Sequence, residues 1–246
     1  MKEPLRRLLA HAMAALLRLG SRHYVLRPAP VLVVAPHADD ETLGCGGLLA
    51  AKASAGQRVA VAFLTDSAGA GSSAALGRCR TGEACAALAA LGLPPDSAHF
   101  LGAPDGRLDR LEPGEARALQ DQLAELLRTV RPAEIFLPFL GGGSTEHDAA
   151  VRIGRAALAA TGCTPVVWEY PVWAWWNALR LRGRLFRPGG NVRLELPPDW
   201  LARKRQALAC HVSQTSPAGP EPAFVLPAVL RDRAASPTEF YFQSHS

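Results

Sequence analysis

The chain has 246 residues, 48% hydrophobic and 20% charged, a balance that excludes a disordered or fibrous protein and leaves room for one large α/β domain or two small ones. Lys and Arg outnumber Asp and Glu by 27 to 22, but the arginines are scattered and never interleave with aromatics in a block, which argues against a nucleic-acid partner. The net charge of +5 is read as a solvated surface or as attraction to an anionic substrate or membrane.

Residues 1–22 hold an apolar stretch too short to span a bilayer, and they lack a small-residue cleavage site, so neither a transmembrane helix nor a signal peptide is expected. Leu5, Leu8, Leu9, Ala12, Met13, Leu16 and Leu19 share one helical face, flanked by Arg6, Arg7 and Arg18. That pattern reads either as a helix packed on the domain or a partner, or as a helix lying on a membrane surface. Residues 1–29 are therefore assigned to an N-terminal amphipathic helix and its lead-in, and residues 30–246 to a single α/β domain.

Val31–Ala35 is an apolar run that reads as a buried parallel strand, with residues 43–55 as the helix after it. Residues 58–64 read as the second strand, 69–73 as a loop and 80–91 as an amphipathic helix. A short strand follows at 99–102, then a turn at 103–106, a long helix at 112–130 and a strand at Glu134–Pro138. A loop over 140–146 leads to a helix at 147–160 and a strand at 165–170. This β-α-β-α alternation predicts a doubly wound, mostly parallel, Rossmann-like sheet. Beyond residue 170 the pattern changes. Trp173, Trp175 and Trp176 cluster as core or pocket wall, residues 180–187 are basic, and 191–196 alternate like a strand. A helix is expected over 199–210, a Pro-rich loop over 217–227 and an edge strand over 239–243. The five cysteines, at 45, 79, 85, 163 and 210, form no CxxC pair and are read as buried free thiols in a reducing, cytoplasmic compartment; a membrane-lying helix would place the protein on the inner face.

The most informative stretch follows the first strand. His37, Asp39 and Asp40 stand where an α/β protein places reactive groups, at the carboxyl end of a parallel strand. His37 and Asp40, three residues apart, can face one divalent metal, and Asp39 between them stays free to handle a proton. A capping turn needs an Asp but not the His. A catalytic metal takes about three protein ligands and keeps a position for water. His147 is the strongest candidate for the third, after a strand and a glycine-rich loop, and His211 the second; His11, His23, His99 and His245 are less well placed. Two histidines and one carboxylate suit one zinc ion per chain. Gly44, Gly46 and Gly47 do not make a dinucleotide site, because acids precede them where phosphate would sit.

Pro36-His37-Ala38-Asp39-Asp40-Glu41 after a hydrophobic strand resembles the zinc-dependent N-deacetylases of the LmbE/PIG-L family. Thr65, Arg80-Thr81-Gly82-Glu83, Gly102-Ala103-Pro104-Asp105-Gly106 and Lys204 with His211-Val212-Ser213-Gln214 support the resemblance. It implies zinc on His37, Asp40 and His147, with Asp39 as general base. It further implies removal of an acetyl group from an N-acetylglucosaminyl conjugate, with room for a phosphate- or lipid-linked one. The family's His-x-Asp-His is replaced here by Ser144-Thr145-Glu146-His147. Ser144 can donate a hydrogen bond but cannot carry a histidine's positive charge. His211 is assigned the missing role in catalysis, against the alternative of a cation closing a helix end. Arg80, Asp105 and Ser144 are assigned to substrate binding, although Arg80 also reads as a surface residue and Asp105 as turn chemistry. The rival reading is a metal-holding sugar- or nucleotide-binding protein with little turnover.

Overall fold

A computed structural model of the chain describes residues 2–69, 74–185, 187, 189–216 and 225–244. In chain order it contains α1 (Glu3–Gly20), β1 (Arg22–His23), β2 (Val31–Ala35), α2 (Asp40–Ser54), β3 (Val59–Thr65), α3 (Ala74–Ala90), β4 (Ala98–Ala103) and α4 (Pro113–Val130). Then come β5 (Glu134–Pro138), α5 (Thr145–Thr161), β6 (Val166–Tyr170), β7 (Asn191–Glu195), α6 (Pro198–Cys210), α7 (Val212–Thr215), α8 (Ala228–Ala234) and β8 (Thr238–Gln243). A 3-10 segment, Trp173–Arg184, joins β6 to the second half. Residues 70–73 of the expected loop, 217–224 of the Pro-rich stretch and His245 lie outside the described residues.

The strands form one sheet in the order β1-β7-β8-β6-β5-β2-β3-β4. β2, β3, β4, β5 and β6 are mutually parallel, as their apolar runs predict. β2 shows why: Val31, Val33 and Ala35 enter the core on one face, and Leu32 and Val34 the core on the other. Helices α4 and α5 cover the second face, and α1, α2, α3, α6 and α8 cover the first. The chain moves from β2 outward to β3 and β4, then returns to lay β5 and β6 on the other side of β2. The crevice between the carboxyl ends of β2 and β5 is thus a topological switch point, the place where open α/β sheets bind ligands.

Three expectations change. β8 is not an edge strand; it lies between β7 and β6, antiparallel to both. Phe240, Tyr241 and Phe242 in a row leave no polar face, so the strand must be covered on both sides. The helix expected from residue 80 begins at Ala74, and the one expected from 147 begins at Thr145. The packed face of α1 is rotated by roughly a third of a turn from the expected one. Ala10, Met13, Ala14 and Leu17 are buried, while Leu5, Leu8, Leu16 and Leu19 are 48%, 66%, 50% and 86% exposed. Small Ala10 and Ala14 let α1 approach the 3-10 segment and α8, and Arg6 lies 3.8 Å over the Trp176 ring.

Two buried ion pairs brace the first face. Glu134 at the start of β5 accepts from Tyr24 (2.8 Å), Trp168 (3.0 Å) and Lys52 (3.2 Å), and Lys52 also donates to the carbonyls of Arg27 and Ala29. Every polar partner is satisfied, as a buried pair requires. The second pair, Lys204–Glu239 at 2.6 Å, enters α2 itself. Glu239 accepts from the N–H groups of Gly47 (2.7 Å) and Leu48 (2.9 Å), and Lys204 donates to the Leu43 carbonyl (3.4 Å). Gly47 N–H and Leu43 C=O are the two groups a regular helix would join to each other. A Cβ on Gly47 would stand 2.3 Å from Leu196 and 3.0 Å from the Glu239 carboxyl carbon, so glycine here makes room for the side chains behind the helix.

Gly44 is equally constrained: a Cβ there would lie 2.1 Å from the Tyr170 ring, whose hydroxyl donates to the Val34 carbonyl (2.8 Å). Gly44→Ala is expected to destabilise the protein by about 1–3 kcal/mol through overpacking, although alanine gains ~1 kcal/mol in helix propensity. Denaturant unfolding measures this, and a variant as stable as the parent would show that the Tyr170 ring moves aside freely.

Candidate metal centre

Pro36 ends β2 and His37 follows at the switch point, so the strand end aims His37 into the crevice. Asp39 occupies the position before α2 with φ 156° and ψ −28°, a backbone state L-residues rarely adopt, and its carboxylate makes no capping hydrogen bond. The capping-turn reading of the Asp pair is thereby set aside. Asp40 opens α2 and is buried; its Oδ2 accepts from the His37 N–H (3.1 Å) and lies 3.4 Å from His37 Nδ1 and 3.3 Å from His147 Nε2. His147 comes from the other side of the crevice, in the first turn of α5. Ser144 caps that helix, its Oγ accepting from His147 N–H (3.3 Å).

Ligand atoms of His37, Asp40 and His147 converge within 4.8 Å of one another, and His147 Nε2 is buried without a hydrogen-bond partner among the described residues. A buried imidazole nitrogen facing a carboxylate needs a proton or a metal cation between them, and the further approach of His37 Nδ1 to the same oxygen suits a metal. The donor set of two nitrogens and one oxygen, with no thiolate, fits zinc.

The opposite edge of His37 is held as metal-ligating histidines usually are. Its Nε2 lies 3.0 Å from Glu146 Oε2 and 3.2 Å from Asp105 Oδ1. Glu146 also accepts from Leu108 N–H (2.9 Å), and Asp105 from Gly69 N–H (2.7 Å). Arg80 is buried, donates to the Ser67 carbonyl (2.9 Å) and lies 3.7 Å from Asp105 Oδ2. Burial opposes charge on His37, but its hydrogen bonds to Asp105, Asp40 and Glu146 outweigh that and hold its pKa well above the usual value. Burial likewise opposes charge on Asp40, yet the neighbouring His147 and His37 hold its carboxyl below the ordinary range. Asp39 goes the other way: burial and then the Asp40 charge push it well above the usual carboxylate range. One carboxylate is thus fixed as an anion and its neighbour is made basic.

These groups open into a cavity of about 690 Å³, lined among others by His37, Asp39, Asp40, Arg80, Asp105, Ser144, Glu146 and Trp173. Of the tryptophan cluster, Trp173 is pocket wall and Trp175 is core.

His211 stands elsewhere. It is wholly buried and does not line the cavity; its Nε2 lies 3.3 Å from Glu41 Oε1 and 3.3 Å from Thr42 Oγ1. Glu41 in turn accepts from Asp39 N–H through Oε2 (3.0 Å). The expectation that His211 reaches the reacting amide is therefore not met by its position, because Glu41 intervenes and holds the imidazole behind Asp39. Gln214 and Ser67 complete this backing, bonding the carbonyl and N–H of Ala38. Sequence reasoning passed over Glu41, which looks like any acid in a first helical turn.

Burial works against charge on His211, but the Glu41 hydrogen bond and charge raise its pKa above the ordinary value. A histidine whose pKa rises on folding stabilises the protein fully below the unfolded value of about 6.5, and that contribution is lost as pH climbs through the raised folded value. His211→Gln is thus expected to be less stable than the parent in mild acid, with the gap narrowing as pH rises above neutrality. Unfolding curves across that range test it, and a gap constant with pH would show that His211 is neutral in the fold.

Residues 32–158, just over half of the chain, match the family described as GlcNAc-PI de-N-acetylase, PIG-L. The chain belongs to the PIG-L family. A 1D-myo-inositol 2-acetamido-2-deoxy-alpha-D-glucopyranoside deacetylase of Kineococcus radiotolerans is 31% identical over 175 residues, which are 58% of this chain and 47% of that protein. The chain thus spans about half the length of that relative. Two solved structures share the PIG-L fold at lower identity. The A40926 pseudoaglycone deacetylase Dbv21 is 18% identical with a TM-score of 0.62, over 88% of this chain and 97% of that one. The 4-carboxy-2-hydroxymuconate hydratase GalB of Pseudomonas putida KT2440 is also 18% identical with a TM-score of 0.62, over 87% and 95%. A deacetylase and a hydratase on one fold mean that the reaction must be argued from the site.

Proposed function

We propose that this PIG-L family protein is a zinc-dependent N-deacetylase that hydrolyses the acetamide of an N-acetylglucosaminyl conjugate. The observation that carries the reading is the convergence of His37, Asp40 and the buried His147 nitrogen, with His37, Asp39 and Asp40 opening into the cavity. His37, Asp40 and His147 would hold the ion. When bound, zinc supplies Lewis acidity, lowering the pKa of water and polarising a carbonyl oxygen. Asp39, made basic by burial and by Asp40, takes the proton of the attacking water and returns it to the leaving amine. Glu146 and Asp105 hold the His37 ring so that Nδ1 faces Asp40. Ser144 accepts from His147 N–H, and its own hydroxyl proton is available to the amide oxygen as that oxygen gains charge. Trp173 offers an aromatic surface to a sugar ring. His211 and Glu41 serve as positioning residues that hold the Asp39 backbone.

A second reading rests on Ser144. A neutral hydroxyl where the family resemblance implies a histidine gives less help to the oxyanion and suits a metal-holding sugar-binding protein of low turnover. Amine release by the zinc-loaded protein, from a panel including N-acetylglucosaminyl inositol and N,N'-diacetylchitobiose, separates the two. Release from no member would overturn the deacetylase reading, and tight binding without release would establish the second.

A further inference from the structure

Helix α1 buries one face and leaves a second apolar face open. Leu5, Leu8, Ala12, Ala15, Leu16 and Leu19 fall on that open side, and all six are exposed. Exposed leucines in one stripe are uncommon on a soluble surface and mark a contact. The stripe is edged by exposed Lys2, Arg7, His11 and Arg18. The acid of α1, Glu3, is half-buried and occupied, accepting from Val229 N–H (3.0 Å). Arg7 pairs with Asp232 (2.5 Å) and Arg18 with Glu195 (3.1 Å), yet their side chains remain 49% and 58% exposed.

The spacing 5, 8, 12, 15, 19 would also suit a seam between two helices. Charge decides against a second copy. Among the described residues the acids beside the stripe, Asp232 and Glu195, are already engaged by Arg7 and Arg18 of the same chain, so a second copy would bring further Lys2, Arg7 and Arg18 against these cations with no acid left to pair them. An anionic lipid surface meets both features: apolar side chains enter the acyl boundary and cations meet headgroups. Among the described residues no helix is long and apolar enough to cross a membrane, so α1 would lie on the surface.

We propose that the outer face of α1 docks the protein on an anionic membrane, through Leu5, Leu8, Leu16 and Leu19 with Lys2, Arg7 and Arg18 at the headgroups. The packed side of α1 touches the 3-10 segment that also supplies a wall of the cavity. Trp173 lines the cavity and Trp176, in the same 3-10 segment, carries Arg6 of α1. The proposal does not depend on the reaction assigned to the site.

The test uses the full chain and vesicles of phosphatidylcholine with and without phosphatidylglycerol, at low and high salt. Sedimentation with the anionic vesicles is expected, falling at least about tenfold on neutral vesicles or in high salt. The triple variant L8Q/L16Q/L19Q alters only exposed side chains, so it should keep the parent's unfolding midpoint while losing at least about tenfold in vesicle binding. Absence of binding to the anionic vesicles, or equal binding by the variant, overturns the proposal. So does a concentration-dependent dimer, seen by analytical ultracentrifugation, that the triple variant abolishes, which would identify a second copy as the occupant.

Discussion

His147→Ala is expected to strip the protein of nearly all its zinc, with affinity falling by at least about 100-fold, more than the 10- to 100-fold typical of losing an outer-shell partner. The reason is geometric. His147 is the only proposed ligand from the β5 side of the crevice, and its Nε2 faces Asp40, the other buried member of the triad. Without it, His37 and Asp40 remain as neighbours on one strand end, a two-ligand set that cannot enclose an ion. Any amide hydrolysis should disappear with the metal. Metal analysis after dialysis reads the result directly and needs no substrate. Glu146→Gln supplies the graded comparison: it keeps a partner for His37 but removes a charge, so zinc should be weakened within the outer-shell range. Full stoichiometric zinc in His147→Ala would show that the ligand set is wrong.

Asp39→Asn should behave in the opposite way, keeping its zinc and losing turnover. Asp39 is outside the converging triad, so the ion's donors are untouched. Its carboxylate is unused by the helix cap and made basic by burial and Asp40, which suits it to accept a proton. Loss of general base catalysis should lower kcat by roughly 10²-fold or more. The parent's acid limb should lie above the ordinary carboxylate range, because Asp39 must be ionised to act, and that limb should vanish in the variant. A kcat within a few-fold of the parent's, measured at full zinc occupancy, would move the base to another residue, with Glu146 the next to examine.

How much of this could be read in advance depended on whether the determinant was local. The strand-to-helix passage at residues 31–55 was legible because the apolar run, the His-Asp-Asp cluster and the glycines sit within one stretch of chain. The parallel core followed from the same alternation. β8 was misplaced because a short apolar strand at the end of a sequence pattern says nothing of its neighbours; the aromatic triplet was the signal for an interior position. For α1, both sides of the helix are apolar, and only the small size of Ala10 and Ala14 distinguishes the packed one. His211 was assigned by chemical type, whereas its place in the fold is set by Glu41, a residue distant in sequence whose contact no periodicity reveals. The thiols were expected to be buried, but only Cys45 is; Cys79 and Cys85 are exposed on α3.

The hydrogen bonds of Lys204 and Glu239 to the backbone of α2 imply an order of assembly. The helix that carries Asp40 is drawn from residues 40–54, but the side chains that brace its backbone arrive from α6 and β8. β8 reaches its place only by entering between β6 and β7. On a growing chain, His37 and Asp40 therefore leave the ribosome about two hundred residues before the element that fixes their helix. Until β8 is seated, Gly44, Gly46 and Gly47 leave that segment poorly helical. If the proposed centre holds zinc, a nascent chain stalled ahead of residue 238 should retain it poorly although every proposed ligand has already been synthesised.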